Sequence, residues 1–134
     1  MKPVKQKVID AKEGDCLGAC IASILEIDEY PNFHTTKSGS WLDNWNKYLG
    51  DFNLQIIEYP LGSFPVPNGY AILAVKSALF EGVRHAVVFH GDGYFGKVIH
   101  NPNPDDPRGV EISNEDWLSF KVFALVDPSQ AVRR

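Results

Sequence analysis

Gly14-Asp15-Cys16-Leu17-Gly18-Ala19-Cys20-Ile21-Ala22-Ser23-Ile24-Leu25 is the stretch that decides how the rest of this chain must be arranged. It reads as a loop entering a helix: Gly14 gives the backbone freedom, Asp15 is a capping residue, and good helix formers follow. Cys16 then falls in the first turn. There the unpaired backbone N–H groups and the positive end of the helix dipole favour a thiolate, and such a position lowers a cysteine from about 8.5 by one to several units. Gly18, Ala19, Ala22 and Ser23 keep one side of the helix thin, while Leu17, Ile21, Ile24 and Leu25 supply apolar bulk elsewhere. A helix apolar around most of its circumference belongs in the middle of a domain. The sequence therefore sets a cysteine at the exposed tip of a central helix.

Working outward, residues before Gly14 read as an extended arm, from Pro3 and the alternation Val4, Gln6, Val8. The turn chemistry of Asp28 to Phe33, with Pro31, ends the first helix near Ile27. Ser40 starts a second helix, with Asp43 three residues on, and Gly50 stops it. Trp41, Trp45, Tyr48 and Leu49 form an amphipathic stripe, read as core packing. Leu54 to Tyr59 is a strand, and a turn-rich segment follows to Gly69. Four further strands are expected at Tyr70 to Lys76, Arg84 to His90, Tyr94 to His100 and Lys121 to Val126, the second and third joined by the hairpin signal Gly91-Asp92-Gly93. Asn101 to Gly109, with three prolines, is loop, and Ser113 caps a last short helix holding Trp117 and Phe120. Helices first and an antiparallel sheet after is an α+β arrangement.

With 134 residues the chain is expected to form one domain, 1–134, with a real core. No run approaches the roughly 18 apolar residues of a membrane span, and the N-terminus leads into no signal-peptide core, so the expected location is cytoplasmic. A net charge of −4 without a Lys/Arg cluster argues against nucleic acid as partner and leaves small molecules, peptides and proteins, mildly favouring neutral or basic peptides. Nothing in the sequence calls for a cofactor or a metal. Cys16 and Cys20, four apart on one helix, suit a disulfide poorly, and Cys20 reads as a small buried hydrophobe.

A cysteine nucleophile needs a base, and the base needs an orienting group. Of His34, His85, His90 and His100, His85 stands out because the residues after it, Ala86, Val87, Val88 and Phe89, are all apolar. A core histidine with a satisfied hydrogen bond is the plainer alternative. If Gly91-Asp92-Gly93 is a three-residue loop, His85 faces Ile99 and has Asn101 diagonally across, where Cα atoms lie roughly 7–8 Å apart. If Asp92-Gly93 makes a two-residue turn, His100 takes that place. His85 and His90 point to opposite faces under regular alternation and cannot share a metal.

Asp15-Cys16 opening a buried helix, Arg84-His85-Ala86-Val87-Val88, and Asn101-Pro102 after the next strand together resemble the papain-like cysteine peptidase superfamily. The nearest resemblance is to compact bacterial and phage members similar to the leader-peptide-cleaving peptidase domains of bacteriocin exporters, and it runs from Gln6 to about Gly109. It implies a papain-like fold, with an N-terminal central helix packed against a C-terminal antiparallel sheet. It also implies Cys16 as nucleophile, His85 as general base and acid, Asn101 as the residue holding the imidazole, and Gln6 completing the oxyanion hole. Compact members often carry Asp before the proline, so Asn101 follows the papain-type pattern. Gln6 stands ten residues before Cys16, further than in papain itself.

The implied function is a cysteine hydrolase, a peptidase or isopeptidase working through a thioester on a peptide or protein substrate. Deamidation or transglutamination at the same site, and a papain-like domain that binds a peptide without cutting it, are the alternatives. Thiol redox chemistry fits poorly, because three residues rather than two separate the cysteines. Zinc held by both cysteines and a histidine is remote. Asp15 opposes ionisation of the neighbouring thiol, so its expected part is structural.

Overall fold

The computed structural model describes residues 1–9, 15–33, 41–62, 66–127 and 129. Among them are two helices, α1 (Cys16–Leu25) and α2 (Trp41–Leu49), and five strands: β1 (Leu54–Pro60), β2 (Asn68–Lys76), β3 (Arg84–Asp92), β4 (Gly96–His100) and β5 (Trp117–Leu125). The strands form one antiparallel sheet in the order β1-β5-β2-β3-β4. This is the α+β arrangement expected from the sequence.

Both helices pack on one face of that sheet. Leu17, Cys20 and Ile21 of α1 and Trp45 and Leu49 of α2 share a core with Ile56, Ile72, Ala86 and Val88. A second core on the other face gathers Ala71, Leu73, Val75, Val87, Phe89, Val98, Ile112 and Phe120. Strands covered on both faces lose the alternation of a half-buried strand. Accordingly β2 is buried without interruption from Ala71 to Val75 and β3 from His85 to Phe89.

Helix α1 is buried from Leu17 to Ser23, and the thinness of its small-residue side has a specific cause at Gly18. A Cβ there would come within 2.6 Å of Tyr30 Cδ2 and 3.2 Å of Trp45 Cζ2. The helix ends at Leu25, two residues before the expected stop. Glu26 adopts the left-handed conformation (φ 58°), and its N–H donates to the Ala22 carbonyl.

Asp15 does not cap α1, contrary to expectation. Its side chain makes no bond to the helix N-terminus and is turned back toward the arm, accepting from the N–H groups of Lys7 and Val8 at 3.0 Å and from the Tyr30 hydroxyl at 2.6 Å. Burial and this carboxylate push the Tyr30 phenol upward, so it remains a donor. The arm is stitched at further points. Lys2 N–H donates to the Ser23 carbonyl, Val4 N–H to the Ser23 hydroxyl, Gln6 N–H to the Pro102 carbonyl, and His100 Nε2 to the Val4 carbonyl at 2.7 Å.

Two further expectations need correction. Ser113 does cap a turn, accepting from Glu115 N–H, but that turn is a single 3-10 turn, Asn114–Asp116, and Trp117 and Phe120 already belong to β5. The β3–β4 hairpin takes neither of the two registers considered. The Asp92 carboxylate accepts from both Tyr94 and Phe95 N–H, which draws those two residues out of β4 into a longer loop. Pairing runs Gly91 with Gly96 through Phe89 with Val98, then shifts so that Val88 faces His100. Trp45 and Leu49 of the expected α2 stripe are buried. Gly14, His34, Ser40 and the Trp41 side chain lie outside the described residues.

The tight fit at Gly18 generates a stability prediction. Gly18→Ala should lower unfolding free energy by about 1–3 kcal/mol, the usual cost of overpacking a filled core, measured by urea denaturation. An unchanged midpoint would mean that Tyr30 and Trp45 move aside without cost.

Candidate active site

Cys16 opens α1, and His85 lies at the start of β3. The two line one small cleft of about 80 Å³ together with Leu17, Ala74, Arg84, Ala86 and Lys121. Cys16 is half-buried, whereas Cys20 one turn on is sealed in the core; both are free thiols. Burial pushes the Cys16 thiol up, and the adjacent Asp15 charge adds to this; the backbone amides of Ala86 and Leu17 and the charge of Lys121 pull the other way without prevailing. The helix-terminal lowering expected from the sequence is thus outweighed by desolvation. The resting group is a neutral thiol. Burial is also the main influence on His85, holding it below its usual value despite Asn101 and Asp106, so the ring is a neutral base at pH 7.

Asn101 sits just beyond β4, and its Oδ1 lies 2.7 Å from His85 Nε2. Its amide orientation follows from its other bonds. Nδ2 donates to Asp106 Oδ2 at 3.0 Å and to the Gly109 carbonyl at 2.9 Å, so both of its hydrogens have acceptors. Oδ1 therefore faces the imidazole, and Nε2 must carry the ring proton. Nδ1 is left with the lone pair, which is the state a base requires. Asn103 N–H adds a second donor to Oδ1 at 3.1 Å.

Asp106 is the residue behind this arrangement. Its side chain is only 2% exposed and is gripped by the Arg108 guanidinium, Nε to Oδ1 at 3.0 Å and Nη2 to Oδ2 at 2.8 Å. Burial would raise this carboxyl, but the Arg108 fork and the Asn101 amide hold it down at about 2. Arg108 also reaches Asp116 at 3.4 Å.

Gln6 is buried, with its backbone N–H on the Pro102 carbonyl and its Nε2 on the Val8 carbonyl at 2.8 Å. The Val8 carbonyl also accepts the N–H of Asp15, the residue before Cys16. Gln6 thus lies between the Asn101-Pro102 corner and the entrance to α1. Its Oε1 is buried with no hydrogen-bond partner among the described residues. The other described histidines are elsewhere: His100 is bound to the arm, and His90 is exposed against Tyr70. Among the described residues, no group of three or more His, Cys, Asp or Glu side chains is placed to hold a metal. No helix among them is long and apolar enough to cross a membrane.

Asp106, Arg108 and Lys121 were not singled out by the sequence. The first two sit in a segment read only as proline-rich loop. Lys121 did carry a signal, since it interrupts an apolar strand just as His85 does. No protein-family model, curated protein or solved structure matches the chain.

The Asp106 grip generates the second prediction. Its folded pKa is below the unfolded value of 3.8, so this carboxylate adds stability above that pH, and the contribution is lost as pH falls toward 2. Asp106→Asn should cost about 2 kcal/mol at neutral pH, because it removes the charge-assisted fork and leaves Arg108 only the longer contact to Asp116. In urea titrations the gap to the wild type should narrow between pH 4 and 2; a gap independent of pH would contradict the assignment.

Proposed function

We propose that this chain is a cysteine hydrolase of the papain-like class, a peptidase or isopeptidase, with Cys16 as nucleophile, His85 as general base and acid, and Asn101 as the residue that orients the ring. The observation that carries the reading is the fixed direction of the Asn101 amide. It leaves Nδ1 as the unprotonated nitrogen of His85, a residue that lines the same cleft as Cys16.

His85 Nδ1 takes the thiol proton as the sulfur attacks the acyl carbon, forming the S–C bond and an oxyanion. The Cys16 N–H at the first turn of α1 is a donor suited to that oxygen, worth about 3–4 kcal/mol in such sites; Gln6 is the second donor that the resemblance implies, and its Nε2 rests on the Val8 carbonyl. Collapse breaks the C–N bond, and His85 returns the proton to the departing amine. Water, deprotonated by the same ring, then attacks the thioester and frees the acid and the thiol. An amine in place of that water gives the acyl-transfer alternatives.

One observation favours a non-cleaving peptide-binding domain instead, namely the upward shift of the thiol. Base catalysis answers it, because the thiol needs to ionise only as it attacks.

An electrophilic activity-based thiol probe separates the two readings. Labelling is expected at Cys16 and not at the sealed Cys20, with His85→Ala slowing it about 10²–10⁴-fold and Asn101→Ala having a smaller effect. Labelling at Cys16 that is indifferent to His85→Ala would end the hydrolase reading. The pH profile is a further check. Because the neutral ring is the base and its value is lowered, the labelling rate should rise with pH through a midpoint below 6.5.

A further inference from the structure

Asp106 is crowded with donors. Its Oδ1 accepts from the Arg108 backbone N–H and from Arg108 Nε, each at 3.0 Å, and its Oδ2 accepts from Arg108 Nη2 at 2.8 Å and from Asn101 Nδ2 at 3.0 Å. An ionised carboxylate has about four lone-pair sites and no hydrogen to give. All of them are taken here, on a side chain that is 2% exposed. The Asn101 amide thus meets a group that can only accept, and its nitrogen is held on that side.

The Gly109 carbonyl and the Asn103 N–H support the same direction without adding charge. Reversing the amide would set Oδ1 against the Asp106 carboxylate and Nδ2 against His85 Nε2. The ring would then have to carry its proton on Nδ1, the nitrogen that the proposed chemistry needs bare.

The same crowding restricts the residue type at position 101. Asp is the other short side chain whose oxygen accepts from an imidazole N–H. Its second oxygen would replace a nitrogen that lies 3.0 Å from Asp106 Oδ2 and 2.9 Å from the Gly109 carbonyl, so that acceptor would face acceptor on both sides. Two carboxylates sharing a site oppose each other's ionisation.

We propose that Asp106 is a positioning residue for the reaction, acting on His85 through Asn101, and that it commits position 101 to an amide. Its part in the reaction rests on His85 being the base, as read above; its hold on the ring does not.

Imidazole ¹⁵N–¹H correlation spectra of the full chain at pH 8, where the ring is neutral, show which nitrogen of His85 carries the proton. His85→Ala identifies the signal. The wild type should show Nε2–H. In Asp106→Asn the new NH₂ must face either the fixed Arg108 N–H or Asn101, and only Asn101 can turn to accept it. Nδ1–H should then appear, and thiol-probe labelling of Cys16 should slow about tenfold or more, since a wrong tautomer costs up to about 10⁴-fold in a catalytic triad. Adding Asn101→Asp to Asp106→Asn should return the ring to Nε2–H, because a carboxylate at 101 accepts from it whichever way it is turned. A merely structural role for Asp106 gives no such return. Urea denaturation at pH 7 supplies a second readout. Asp106→Asn, destabilising by itself, should raise the midpoint in the Asn101→Asp background, where it removes the facing carboxylates.

A ring that stays Nε2–H in Asp106→Asn overturns the positioning role. If that variant does not fold, the double variant decides: a midpoint no higher than that of Asn101→Asp, or no folded protein, overturns the pairing of the two positions. Cys16 labelling indifferent to His85→Ala ends the hydrolase reading and removes Asp106 from any reaction, an outcome told apart by spectra that still show its hold on the ring.

Discussion

Asn101 has a single amide group, and its three sides are all assigned. The oxygen faces His85, and the two hydrogens go to Asp106 and to the Gly109 carbonyl. Because Asp106 is fixed by the Arg108 fork, the direction of that amide is set by an ion pair behind it. The tautomer of the imidazole, and with it the possibility of base catalysis, follows from a chain of bonds that begins at a buried carboxylate. A loop with three prolines supplies this frame. Prolines restrict the backbone, so the loop loses little entropy in holding four polar side chains in one geometry.

The parts of the fold written in local pattern were legible. The apolar circumference of α1, the stripe of α2 and the runs of β2 and β3 all stand close to where periodicity put them. The misreadings arose where a side chain competed with the backbone. Asp92 draws Tyr94 and Phe95 into the turn, so the hairpin is longer than its glycines imply. Asp15 has the residue type of a cap, but two arm amides and a phenol claim it first. Trp117 and Phe120 fit a helix by spacing, yet the sheet takes them as the opening of β5.

In the candidate site, the grouping of residues was legible and the electrostatics were not. Cys16, His85 and Asn101 could be chosen from motif order, though neither simple register accounts for the pairing, which rests on the slipped ladder between β3 and β4. The sign of the Cys16 shift was out of reach, because dipole and desolvation oppose each other and only burial decides which is larger. The net charge of −4 was a poor guide to the cleft. Charge summed over a surface says little about a hollow lined by Lys121 and Arg84 with Asp15 beside its sulfur.

The extended arm joins the two halves of the candidate machinery. It is fastened to α1 at Ser23 and Asp15, and to the end of β4 at His100 and Pro102. The helix that carries the sulfur and the corner that carries the amide are thus clasped by eight residues at the very front of the chain. Displacing that clasp would disturb the spacing between thiol and imidazole without altering either residue.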